Sequence, residues 1–110
     1  MIAGSHSINV QPEAAARIAE LNIQDDLDRA LEYTQSVVPS IHSIEIETRT
    51  YFDDGPREPG IRVTIWRESQ YVQDDPIRRQ WLVGLSGAMS RALCEWSVFH
   101  LLPREAANGR

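Results

Sequence analysis

Lysine is missing from this chain: all 11 basic residues are arginine. That excludes Schiff-base catalysis and the lysine-dependent phosphate loop. Cysteine is almost missing too. Cys94 stands alone, so no internal disulfide is possible and nothing argues for an oxidising compartment. No apolar run approaches the roughly 18 residues that a membrane span requires. The opening "MIAGSHSINV" has neither the basic start nor the apolar stretch of a secretory signal, so a cytoplasmic location is expected. Cations are outnumbered by acids, and the net charge is −5. A surface of that sign disfavours non-specific nucleic-acid binding and attachment to anionic membranes.

What is present describes an ordinary globular chain. The 110 residues are 42% hydrophobic and 25% charged, which suits one domain over 1–110 with a modest core. Residues 1–10 read as an arm, with Ser7–Val10 alternating enough for a brief edge strand. Pro12 suits the first position of a helix and Glu13 its positive end. Ala14, Ile18 and Leu21 share one helical face, whereas Ile23, Leu27, Ala30, Leu31, Thr34 and Val38 share a nearly opposite one. Asn22 sits at the phase change, so two helices are predicted, 12–21 and 24–37, the second stopped by Pro39.

Period-two alternation then takes over. In "SIEIETRTYF", Ile44, Ile46, Thr48, Thr50 and Phe52 alternate with Glu45, Glu47, Arg49 and Tyr51. In "GIRVTIWRE", Ile61, Val63 and Ile65 alternate with Arg62, Thr64 and Trp66. Each strand has one oily and one polar side, as in an antiparallel hairpin wet on one face. Pairing Phe52 with Ile61 aligns the oily faces and sets Glu47 and Arg49 near Arg62, Thr64 and Trp66. The intervening "DDGPREPG" reads as an eight-residue turn, since Asp, Gly and Pro are all turn formers. Asp74 or Asp75 caps a last helix with Pro76 at its start. An apolar stripe from Ile77 through Trp81, Leu85, Met89, Leu93 and Trp96 to Phe99 predicts that this helix runs unbroken to Leu102, leaving a polar tail over 103–110. The expected fold is α+β: N-terminal helices, an antiparallel β-hairpin, and a long C-terminal helix packed on one sheet face.

No cofactor, metal or catalytic set is expected. Glu45, Glu47, Asp53 and Asp54 are the carboxylates that a magnesium-dependent hydrolase or nuclease would use. Turning accounts for Asp53 and Asp54 and solvation for Glu45 and Glu47, and that reading is preferred to a metal site. His6, His42 and His100 fall in three separate elements without paired spacing. Cys94 lies on a helix shoulder and reads as a buried or half-buried small hydrophobe. Arg78, Arg79 and Arg91, with Trp66, are the residues that nucleic-acid binding would draw on, against the overall acidity.

Two other features point to protein partners. Gly84 and Gly87 lie in a helix interior at a cost of about 1 kcal/mol each relative to alanine, which close approach of another backbone would offset. Val83, Cys94, Val98 and Leu101 form a second, weaker apolar set on the last helix, and Tyr51 and Trp66 mark the wet sheet face. Gly84, Gly87, Val83, Cys94, Leu101, Trp66 and Tyr51 are therefore the interface candidates. The expectation is a small non-enzymatic interaction or regulatory module, a homodimer or the partner of another protein.

Overall fold

The computed structural model describes residues 7–49, 59–68 and 75–103. The elements run β1 (Ser7–Val10), α1 (Pro12–Leu21), α2 (Gln24–Val37), β2 (Ile41–Arg49), β3 (Gly60–Arg67), α3 (Pro76–Ala88), α4 (Arg91–Trp96) and β4 (Ser97–Pro103). The fold is mixed α+β. Among the described residues its sheet has four strands in the spatial order β1-β2-β3-β4. The central pair β2–β3 is antiparallel, while β1 and β4 flank it as parallel edges.

The N-terminal half follows the sequence closely. Asn22 ends α1 in the left-handed conformation, φ 57°, with its N–H directed at the carbonyls of Ile18 and Ala19. Asparagine tolerates that region better than most residues, so the chain turns there and restarts as α2. The turn lets both apolar faces be buried. Ala14 and Ile18 on α1, then Leu27, Ala30 and Leu31 on α2, enter one core with Ile44, Ile46, Ile61, Val63 and Ile65.

The hairpin register differs from expectation. Ile61 lies opposite Thr48, not Phe52, a slip of four residues. Because the slip is even, every side chain keeps its predicted face. It also sets Glu47 directly opposite Arg62, whose guanidinium donates to Glu47 Oε2 at 2.5 and 3.0 Å. The expected turn at 53–60 lies, up to residue 58, outside the described residues.

The long C-terminal helix is not formed. α3 has 13 residues and ends at Ala88, Met89 is extended, and Ser90 starts the six-residue α4. The break is held by Ser90, whose Oγ accepts from Leu93 N at 3.1 Å and donates to Asp26 Oδ2 at 2.7 Å. A serine able to cap competes with one that continues a helix. After Trp96 the chain becomes β4, where "SVFHLL" is a short apolar run that periodicity alone leaves ambiguous. As a strand it sends Phe99 and Leu101 toward the helices beside Val63 and Ile65. Leu101 is 4% exposed, so its surface is spent in the core of its own chain.

All four helices contribute to the layer over this face, with Trp81, Leu85 and Leu93 completing the core from α3 and α4. Among the described residues no helix is long and apolar enough to cross a membrane.

Candidate functional site

The helix layer leaves the other sheet face open. Reading across the strands, Ser7, Ser43, Trp66 and Leu102 form one row, and Asn9, Glu45, Thr64 and His100 the next. Glu47, Arg62 and Val98 follow. Trp66 is half-buried and donates from Nε1 to Glu45 Oε1 at 3.3 Å. Glu45 is thus engaged by an indole and Glu47 by a guanidinium, which ties both carboxylates into the surface rather than leaving them to converge on an ion. Among the described residues no three histidine, cysteine or acidic side chains gather as a metal set would. Asp53 and Asp54, the other half of the hydrolase reading, lie outside the described residues.

Asp75 and Asp26 serve as caps and ties. Asp75 accepts from the N–H groups of Ile77 and Arg78 through Oδ1 and binds Arg67 Nη1 at 2.8 Å through Oδ2. One carboxylate thereby caps α3 and neutralises a guanidinium that is almost wholly buried. Asp26 receives the Ser90 hydroxyl and Arg29 Nη2 at 2.7 Å. Those two hydrogen bonds, Ser90's first, hold its carboxyl below the ordinary aspartate range. Arg78, Arg79 and Arg91 are exposed on α3 and α4. Trp66 sits on the opposite side of the sheet, so the proposed nucleic-acid set is split between two surfaces. His42 pairs with Glu68 at 2.9 Å near the end of the hairpin, far in register from His100 on β4.

The glycine question divides in two. A Cβ on Gly84 would stand 1.8 Å from Tyr33 Oη and 2.6 Å from Cζ. The close approach that Gly84 permits is therefore made by its own chain, by a tyrosine of α2 whose hydroxyl reaches toward Gln80 O. A Cβ on Gly87 would meet nothing. Gly87 and Ala88 instead line an open groove of about 510 Å³ between α2 and α3, with Arg29, Glu32, Tyr33 and Ser36 on its other wall.

Of the other interface candidates, Val83 is 73% exposed and Cys94 is exposed as well. The reading of Cys94 as buried is corrected by the shortness of α4, in which Leu93 takes the inward position. Tyr51 lies outside the described residues. The structure adds exposed apolar side chains that the sequence reading passed over: Leu82 on α3, Leu102 on the open sheet face, and Ile8 and Val10 on β1. The signal for the last two was present. They alternate with polar residues, but the partner strand and the limit of the helix layer could not be known.

Comparison with known protein families, curated proteins and solved structures gives no match.

Proposed function

We propose that this chain is a small, non-enzymatic protein-interaction module of the cytoplasm, working as a homodimer or as one half of a regulatory pair. The observation that carries the reading is apolar surface left over after the core has closed. Ile8, Val10, Leu82, Val83 and Leu102 belong to regular elements, and each keeps at least 39% of its area in water. Single exposed apolar residues are common on monomers. Pairs fixed next to each other on a helix or along an edge strand are what a second polypeptide covers. Glu45 and Glu47 give little support to the hydrolase alternative, since Trp66 engages the first and Arg62 the second.

Light scattering behind size-exclusion chromatography, run over a wide range of loading concentrations, tests the reading. A molar mass that climbs toward twice the 12.5 kDa of the chain, or a stoichiometric protein co-purifying from the native source, is the expected result. A mass fixed at one chain at every concentration, with no companion, would remove the reading.

A further inference from the structure

We infer that the outer edge of β1 is the self-association surface, and that two copies join there antiparallel about a two-fold axis through Asn9. The inference rests on the self-association reading above and names its interface.

Gln11 N donates to Ile46 O at 3.0 Å, and Val10 pairs with Ile46, Ile8 with Ile44. In a parallel ladder the residues that bond inward alternate. Ser7, Asn9 and Gln11 therefore face β2 with their backbone groups. The N–H and C=O groups of Ile8 and Val10 point away from the sheet. These are the same two residues whose side chains, lying on the helix side beside Ile44 and Ile46, stay 43% exposed each. The bonding edge and the uncovered apolar side chains coincide.

The edge is also self-complementary. Placing Asn9 opposite the partner's Asn9 sets Ile8 against the partner's Val10 and Val10 against the partner's Ile8. Each Ile–Val pair then exchanges both N–H···O bonds, and the Asn pair falls in the closer, non-bonded position. All four apolar side chains meet on one face. On the other face the two amides donate to and accept from each other, since asparagine carries both functions. An axis between residues would instead set Ile8 opposite Asn9, with the faces mismatched.

Charge favours the same place. Two copies at −5 each repel, and the stretch Ser7–Gln11 is uncharged, so the acidic molecules meet where neither carries an ion. It has neither charge nor proline among its outward residues, the usual guards of an exposed edge. The opposite edge is guarded: β4 ends in Pro103 and buries Leu101 under the helices. A four-residue edge buries less than the roughly 1,200 Å² of standard stable interfaces, so the dimer dissociates on dilution.

The test uses the whole chain with Cys94→Ser, which removes the exposed native thiol. In a non-hydrogen-bonded antiparallel pair the Cα atoms are about 4.5 Å apart, within disulfide range. Asn9→Cys is expected to cross-link into a covalent dimer under mild oxidant, whereas Ser7→Cys, which faces the partner's Gln11, stays monomeric on the same gel. Separately, Val10→Pro deletes an outward N–H and spares the β2 ladder. It is expected to lower the weight-average mass to one chain with an unchanged circular dichroism spectrum. Dimers that survive Val10→Pro, with no cross-link at position 9, overturn the edge while leaving self-association standing. One-chain mass for the unsubstituted protein at every concentration overturns both.

Discussion

Tyr33 and Gly84 show how one contact decides the worth of a residue. Replacing Gly84 with alanine forces a methyl into the Tyr33 ring, an overpacking that costs about 1–3 kcal/mol. Gly87→Ala meets open space and should stabilise by up to about 1 kcal/mol through helix propensity alone. Urea denaturation of the two variants checks the opposite signs. Thr34 makes a second such case. Its hydroxyl, fully buried, accepts from Trp81 Nε1 at 3.0 Å and donates to Ala30 O at 2.8 Å. Thr34→Val keeps the shape and strands the indole N–H, so a loss of about 1–3 kcal/mol is expected in the same assay. The two glycines were legible as an anomaly in the sequence. Which one was packed against, and by what, was not, because Tyr33 lies about fifty positions earlier and only the meeting of α2 with α3 brings it there.

Among the elements, what could be read was local and what could not was tertiary. The break at Asn22 was visible because two apolar phases cannot share one straight helix, and the residue between them suits positive φ. The faces of β2 and β3 were visible because alternation is independent of register. The register itself, which sets Glu47 opposite Arg62, is a choice between even slips that alternation cannot make. The C-terminal helix failed as an expectation because a stripe with helical spacing also fits two short helices and a strand. Ser90 decides the matter through Asp26, a residue on α2. That tie carries a pH signature. Asp26 titrates lower in the folded chain than the ordinary value of about 3.9 in the unfolded one. Between those values the unfolded state binds more protons, so the stabilisation is complete above about pH 4 and is lost as pH falls through the folded value. Asp26→Asn should flatten the acid limb of the stability curve relative to the parent, as measured by thermal melts between about pH 5 and 2. At the start of α3, Asp75→Ala removes the cap and leaves the buried Arg67 without its counter-ion. A loss of about 3 kcal/mol or more is expected. Asp75→Asn, which keeps the capping oxygen, should lose less, and chemical denaturation separates the two.

For the whole molecule, the helix layer and the sheet close a core without covering everything oily. Helices lie over the centre of the sheet, with α1 above β2 and β3, and β1 stands at the margin with its apolar pair in water. The sequence showed surplus apolar residues but misplaced several. Leu101 belongs to the core rather than to the surface expected for it, while the brief edge strand expected over Ser7–Val10 is formed, with Ile8 and Val10 adding exposed apolar area that the interface candidates did not include. Self-association at this margin requires that the backbone of β1 be bonded on its outer side. Amide hydrogen exchange followed by NMR reads this residue by residue. Protection of Asn9 and Gln11 at all concentrations is expected from the β2 ladder, with Ile8 and Val10 protected in concentrated samples and exposed on dilution. Ile8 and Val10 amides that exchange freely even in the most concentrated sample would contradict it.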